Sequence, residues 1–436
     1  MNSSLFIIFQ NRPDSVFCGG SALKNNYNTI VIGGGASGMI AAATAAEHGE
    51  SVLLLEKGDR LGKKISASGN GRCNMMNTGV PKYFGAPEFA YEVIRNCSIE
   101  DLTVFFRRYG LIVTEETEGR VYPVTMQSIS VLNALQNAMK LNLVDIQLRT
   151  MVNRISKEES GFICTTEDEK KYKAQRMIIC TGGLAQKRLG GSSDGYLYLQ
   201  AMGHRLEPLF PSLVPVITDS KSISGLSGIR VRCRISLMDG KEILHQEKGE
   251  VLFTKYGLSG ICVMQCSRFI GRQGGLHMEL DMLSSVFSNP EKAYEEMLVR
   301  RETFSLYSPV LLLEGILMPK LAYAVMKQAG IPMRGESAGS LTDDNLESIV
   351  KTAYHYRADV IGTRTFDDAQ VTAGGISCDE FIPQTMESKI TKGLFAAGEV
   401  LNVDGDCGGF NLMFAFASGM IAGGFRKEAQ YLPEEQ

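Results

Sequence analysis

The stretch from Thr29 to Glu56 leaves a chain few choices of fold. It opens with a β-branched apolar run, Thr29-Ile30-Val31-Ile32, and continues as Gly33-Gly34-Gly35-Ala36-Ser37-Gly38. An alanine-rich segment from Met39 to about His48 follows, with Gly49 as its stop, and a second apolar run from Ser51 to Leu55 ends in Glu56. A short uninterrupted run of this kind belongs in a parallel sheet buried on both faces. Gly33 allows the tight turn out of the strand, Gly35 lets the backbone close on a pyrophosphate, and Gly38 lets the helix pack against the strand. The helix N-terminus offers free N–H groups and a partial positive charge to phosphate. Glu56 lies eighteen residues beyond Gly38, where its carboxylate can accept both hydroxyl hydrogens of an adenosine ribose. A lone GxGxxG arises by chance in glycine-rich loops. Here strand, helix, second strand and acid are all in place, and the pattern predicts a dinucleotide site.

The acid at Glu56 disfavours a ribose carrying a 2′-phosphate, which leaves FAD or NAD. Two distant segments favour FAD. The strand Met177 to Thr181, ending in Gly182-Gly183, resembles the second cofactor turn of two-dinucleotide-domain flavoproteins. Gly393-Leu394-Phe395-Ala396-Ala397-Gly398-Glu399 resembles their C-terminal flavin motif. In that motif the acid faces the ribityl or pyrophosphate part, and the next helix points its positive end at the flavin.

Composition narrows the class. Of 436 residues, 44% are hydrophobic and 21% charged, which supplies real cores and excludes extended disorder. The net charge of -3 shows no basic excess, so nucleic acid is not an expected partner. The 46 glycines beside only 13 prolines point to many tight turns and close backbone approaches rather than a linker. Ten cysteines without a CxxC pair read as reduced thiols of a cytoplasmic protein. The five histidines lie far apart, so no metal site is expected. No run approaches eighteen uninterrupted apolar residues, and the only apolar run before Tyr27, Leu5 to Phe9, is too short for a signal segment. Residues 1–26 therefore read as an N-terminal extension, and no membrane partner is expected. Neither a heptad nor an exposed apolar seam stands out, which points to a monomer or weak homo-oligomer.

Along the chain, Ser130 to Leu141 reads as an amphipathic helix and Val144 to Ile155 as a strand pair. Gly161 to Thr166 with Lys171 to Ala174 reads as a hairpin, and Arg176 to Thr181 as a further strand. From about Glu207 the texture becomes alternating, as in an antiparallel sheet or small barrel. From Pro290 to Tyr354 helical periodicity dominates. The expected architecture is α/β. A Rossmann-like FAD-binding domain (27–206 and 358–436) is interrupted by a β-barrel-like domain (207–275) and a small helical domain (276–357).

A basic loop, Gly62-Lys63-Lys64-Ile65-Ser66-Ala67-Ser68-Gly69-Asn70-Gly71-Arg72-Cys73-Asn74, follows the acidic strand. It reads as a flap over the cofactor, with Lys63 or Arg72 near pyrophosphate or flavin. Cys73 either faces the flavin or is a small buried residue. This SGNGRCN loop recurs together with Val121-Tyr122-Pro123, Gly191-Ser192-Ser193-Asp194-Gly195-Tyr196, Leu252 to Gly260, Val371 to Ile376, Thr385 to Lys389 and Gly408-Gly409-Phe410-Asn411. In that combination the chain, from Tyr27 to Gly424, resembles the BaiN/RdsA family of NAD(P)/FAD-dependent oxidoreductases, also called YhiN-like or aminoacetone-oxidase-like flavoproteins. The resemblance implies that Gly33, Gly35, Ala36, Ser37 and Gly38 hold the pyrophosphate and Glu56 the ribose. It places Thr181 and Gly182 along the cofactor, and Gly398, Glu399, Gly409 and Asn411 at its flavin end; Lys57, Lys63, Arg72, Cys73, Val152 and Leu412 complete the expected cofactor residues. Two departures stand out. Asn402 occupies a place where the family often has Asp, and Met413 one where Gln is common.

The resemblance further implies a flavin-dependent reductase of an electron-poor C=C conjugated to a carbonyl, with a steroid-like or bile-acid-like enone as the natural small-molecule substrate. With a single dinucleotide fingerprint, NAD(P)H would bind transiently as the electron donor. The residues give no clear catalytic acid; Arg72, Tyr256 and Cys407 sit in glycine-rich segments that can reach a flavin. A Cys73–Cys407 redox pair is a lesser alternative. An amine or amino-acid oxidase, and a non-catalytic flavin-binding partner protein, are the competing readings.

Overall fold

The computed structural model describes residues 24–271 and 274–427; most of the expected extension, 1–23, lies outside them. The strand Asn26–Ile32 lies at the centre of a nine-stranded sheet. It pairs in parallel with Val52–Leu55 on one side (Ile30↔Leu53) and Lys171–Ile179 on the other (Ile30↔Met177). Leu394–Ala396 and Asp145–Gln147 extend the parallel run outwards. Ile30, Val31, Leu53, Leu54, Met177 and Ile178 are fully buried, as the apolar runs require of strands covered on both faces. The hairpin and the strand expected after it are in fact continuous. Lys171–Ile179 pairs with Gly161–Thr166 at its first half and enters the parallel sheet with its second.

The first helix, Ala36–Glu47, is buried along most of its length between the sheet and the last helix, Phe410–Ala422. Alanine makes this possible, because a helix covered on several sides must be thin. The close approach is forced further by glycine: a Cβ at Gly419 would stand 2.4 Å from the Ser37 carbonyl oxygen, and one at Gly423 2.6 Å from that of Ala41.

The insert leaves the sheet domain through Phe210–Ser212 and returns through Val371–Ala373, two antiparallel strands with Ser212 opposite Val371. Between them lies a closed six-stranded barrel of Val216–Thr218, Gly257–Ser259, Glu242–Phe253, Arg230–Asp239, Leu276–Asp281 and Tyr356–Thr363. Its interior repeats every second residue: Ile235 and Leu237, Val251 and Phe253, Met278 and Leu280, Tyr356 and Ala358. The helices Pro290–Thr303, Pro319–Gln328 and Asp343–Tyr354 bury Met297, Val325 and Ile349 in the same apolar core as those barrel residues. The division into a β domain ending at 275 and a helical domain of 276–357 is therefore corrected. Leu276–Asp281 and Tyr356–Thr363 close the barrel, and the helices share its core. Each of these strands pairs with partners far away in sequence, which local texture does not reveal. The sheet domain keeps a separate core.

Candidate functional site

A cavity of about 640 Å³ opens along the carboxyl ends of the parallel strands and reaches the base of the insert. This is the crevice where doubly wound sheets take their ligands. Its first wall is the glycine turn. A Cβ at Gly33 would stand 2.4 Å from the Cys180 carbonyl oxygen, and one at Gly38 only 1.8 Å from that of Gly33, so both glycines serve the packing of the turn itself. Gly35 differs: a Cβ there would meet nothing within 4 Å. It lines the cavity and caps the first helix with no side-chain hydrogen bond. The last helix likewise starts at an uncapped glycine, Gly409, on the same cavity. Neither helix has an acid in its first turn. Two bare helix N-termini on one elongated cavity suit a ligand carrying negative charge in two places.

Glu56 lines the cavity with its carboxylate fixed from behind. Oε2 accepts from the Gly34 N–H at 2.7 Å and Oε1 from the Gly58 N–H at 2.6 Å. Glu399 is held in the same manner, accepting from the Thr372 N–H at 2.8 Å and from Lys64 Nζ at 3.0 Å. Lys57 pairs with Asp194 at 2.8 Å and Lys63 with Asp59 at 2.7 Å, so Lys64, which was not singled out by the sequence, is the lysine tied to the flavin motif. Asn411 exchanges two 2.8 Å hydrogen bonds with the backbone of Gly405 and thereby fixes the turn ahead of the last helix.

Of the expected cofactor residues, Gly33, Gly35, Ala36, Ser37, Glu56, Lys57, Lys63 and Arg72 line the cavity. So do Val152, Thr181, Gly182, Glu399, Gly409, Asn411 and Leu412, as does Cys407. Four residues stand outside the lining. Gly38 lies beneath the turn. Gly398 gives its N–H to Ser418 Oγ at 3.0 Å, and its Cα faces Ser37. Cys73 is turned into the core by a left-handed backbone, φ 59°, where burial pushes its thiol up to about 11. Tyr256 sits at a barrel turn beneath the Arg364 guanidinium, 4.8 Å from its ring centroid. Asn402 and Met413 are likewise absent from the lining. Cys73 and Cys407 are both free thiols, and burial raises that of Cys407 as well.

Residues that sequence reasoning passed over complete the walls. Leu213, Ile261, Met264 and Val371 give an apolar surface where the insert meets the sheet domain. Asn74, Arg120 and Tyr122 gather beside the N-terminus of the last helix. Thr181 Oγ1 and Asn74 Oδ1 are buried with no hydrogen-bond partner among the described residues, the first against Gly195 and the second against Gly409. The glycine cradle and the paired helix ends fit a dinucleotide flavin. Behind the site the two halves are clamped by Arg268, which pairs with Asp404 and lies 4.7 Å over the Phe84 ring. Burial pushes the Asp404 carboxyl up to about 6 even with that guanidinium against it.

One other trio has the distances of a nucleophile relay. Ser388 Oγ is 2.9 Å from His204 Nε2, and His204 Nδ1 is 2.9 Å from Glu380 Oε2. The His204 side chain has no exposure and stacks on Phe381 at 4.6 Å, and none of the three lines the cavity. This relay ties the edge hairpin to the turn after helix Asp194–Ala201.

The model described as the HI0933-like protein Rossmann domain matches residues 27–425. Among curated proteins, a 3-dehydro-bile acid delta(4,6)-reductase of Clostridium scindens is 34% identical over 402 residues, covering 90% of this chain and 97% of the relative. A ribosomal RNA dihydrouridine synthase of Escherichia coli is 28% identical over 403 residues, covering 90% and 96%. Among solved structures, a 3-ketosteroid-delta4-(5alpha)-dehydrogenase of Rhodococcus jostii matches with a TM-score of 0.46 and 14% identity, covering 93% of this chain and 97% of that one. No helix among the described residues is long and apolar enough to cross a membrane.

Proposed function

The chain belongs to the HI0933-like Rossmann family of flavoproteins, and on that premise we propose an FAD-dependent reductase of a carbon–carbon double bond conjugated to a carbonyl. The observation that carries the proposal is the single cavity joining two uncapped helix N-termini to the apolar wall of the insert. FAD, when bound, supplies hydride transfer. Gly35 and the first turn of helix Ala36–Glu47 take the pyrophosphate, and Glu56 the adenosine ribose. Glu399, anchored by Lys64 and Thr372, faces the middle of the cofactor. The start of helix Phe410–Ala422 offers its partial positive charge to the ring end. Leu213, Ile261, Met264 and Val371 exclude water and receive an apolar substrate. NAD(P)H enters the same cavity as a transient donor, since the chain has one fingerprint only.

Support for this reaction class comes from the names of both relatives. A bile acid Δ4,6-reductase and a dihydrouridine synthase each saturate a C=C bond conjugated to a carbonyl. An enone of steroid size is the preferred substrate, on the stronger likeness and the apolar wall. A uracil base in RNA is the second reading, and one feature of this chain favours it. A groove between barrel and helices is lined by Lys221, Lys320, Lys327 and Arg334, none of which has an ion-pair partner among the described residues, together with the acids Asp219, Glu314 and Asp359. Tyr323 lies half-exposed between two of these lysines on one helix. Unpaired cations with an interleaved aromatic suit a phosphate backbone.

The decisive experiment is an anaerobic absorbance titration of the purified protein. Flavin bands that bleach with NADH or NADPH and return on addition of a 3-oxo-4-ene steroid are the expected result. Return with a uridine-containing RNA alone selects the second reading. Bleaching by an amine, and by neither nucleotide, overturns the reductase in favour of an amine-oxidising enzyme.

A further inference from the structure

The reduction proposed above needs an acid, and none was evident in the sequence. The structure gathers a group of polar side chains at the ring end of the cavity. The strand Arg120–Pro123 pairs with Met76–Asn77. That short sheet is pressed onto the start of the last helix: Asn77 Nδ2 donates to the Gly408 carbonyl oxygen at 2.8 Å, and a Cβ on Gly409 would stand 2.4 Å from the Met76 carbonyl oxygen. Alternation along the strand sends Val121 into the core and leaves Arg120 and Tyr122 together on the cavity side. Arg72 lies over the Tyr122 ring, 5.2 Å from its centroid. Tyr122 is itself buried, yet its hydroxyl has no hydrogen-bond partner among the described residues.

We propose that Tyr122 is the catalytic acid of this site, with Arg72 stabilising the phenolate that proton donation leaves. The inference rests on the conjugated-reductase reading. When bound and reduced, FAD would supply a hydride to the carbon β to the carbonyl and would itself be oxidised. The π pair of the C=C bond moves toward the carbonyl, and the α carbon then takes the Tyr122 proton. Water returns a proton to the phenolate. The substrate gains two hydrogens in all, one as hydride and one as a proton, and the two electrons come from the NAD(P)H that reduces the flavin. Tyr122 is preferred to Cys407 because Arg72 lies directly over the ring that becomes an anion, whereas Arg120, the guanidinium that acts on Cys407, is already paired with Glu118.

The test uses the FAD-loaded protein, reduced anaerobically with dithionite and then mixed with a 3-oxo-4-ene steroid. Tyr122→Phe keeps the ring and its packing. Its FAD affinity stays within about twofold of the parent, while reoxidation by the enone falls by about 100-fold or more, the range expected for loss of a general acid. Arg72→Gln, compared at saturating FAD, is expected to slow the same step about tenfold. In D2O the parent places deuterium at the α carbon on one face, and Tyr122→Phe loses that facial preference. Reoxidation of Tyr122→Phe within threefold of the parent overturns the proposal while leaving the reductase intact. So does a loss confined to Cys407→Ala, which assigns the proton to that thiol. A parent protein reoxidised by oxygen but by neither enone nor uridine overturns the reductase reading itself, and the acid assignment falls with it.

Discussion

Two helices of the insert and the two helices on the cavity begin differently. In the insert, Asn289 accepts from the Lys292 N–H at 2.8 Å, and Thr342 forms a reciprocal capping box with Asn345 beneath two acids, Asp343 and Asp344. In the sheet domain, the first and last helices begin at bare glycines without an acid in the first turn. Bare starts are not confined to the cavity, because Pro87–Asn96, Ser128–Leu141 and Pro319–Gln328 also begin without a side-chain cap; what sets the two cavity helices apart from these is that each begins at glycine. Helix Ile99–Arg108 belongs to the sheet half, lies off the cavity, and carries a Ser98–Asp101 capping box. A helix that supplies its own cap satisfies its own N–H groups. One that leaves the cap to glycine keeps them for a ligand, and gives up the stability a side chain would add.

Four measurements sharpen or break this contrast. The largest effect belongs to the insert's packing. Phe253 is fully buried, with its ring edge-on to Tyr356 at 6.5 Å, and Phe253→Ala is expected to cost about 3–5 kcal/mol. Because the two halves keep separate cores, hydrogen exchange should rise in the barrel and its helices while the sheet stays protected. Uniform loss of protection would show that the cores unfold as one.

Gly35→Ala reverses the pattern. Beyond its chain neighbours, no atom of the described residues lies within 4 Å of the new methyl group, so unfolding free energy should change by no more than about 1 kcal/mol. FAD affinity measured by fluorescence quenching should fall about 100-fold, or about 2.7 kcal/mol. Unchanged affinity would remove Gly35 from the cofactor cradle.

The clamp between the halves gives a pH signature. Asp404 binds its proton near pH 6 when folded and near the ordinary 3.8 when unfolded. Its contribution to stability is therefore complete below the lower value and is lost as pH rises through the upper one. Asp404→Asn should flatten unfolding free energy between pH 4 and 6 by on the order of 2 kcal/mol. An unaltered slope would place the titration elsewhere.

The smallest effect is the control. Thr342→Ala removes an insert cap and should cost about 1 kcal/mol in chemical denaturation. FAD affinity should not change.

What the sequence disclosed followed the range of the interactions involved. The first strand, its turn and the helix are specified by residues within one short segment, so Gly33 to Glu56 could be read directly. Closure of the barrel depends on Leu276–Asp281 meeting both Arg230–Asp239 and Tyr356–Thr363. Alternation marks such strands only weakly when they are six to ten residues long, and register is not written locally. Side-chain direction was the other hidden quantity. In the basic loop, left-handed residues at Asn70 and Cys73 break any regular period, so Arg72 faces the cavity while Cys73 turns inwards. Lys63 and Lys64 could not be ranked before Glu399 was placed. Tyr122 was visible only as part of a motif, because its meaning depends on Arg72 and on the end of a helix nearly three hundred residues away.

The antiparallel passage at Ser212 and Val371 also bears on how the chain assembles. Strand Lys171–Ile179 must find Leu394–Ala396 across the whole insert. An unstructured excursion of that length carries an entropic closure penalty that grows as the logarithm of its length. Once the barrel has formed, its two ends are held side by side, and the sheet meets the excursion as a hairpin. The insert is thus placed to fold early and to deliver the last parallel strand and the final helix to a sheet that is otherwise waiting.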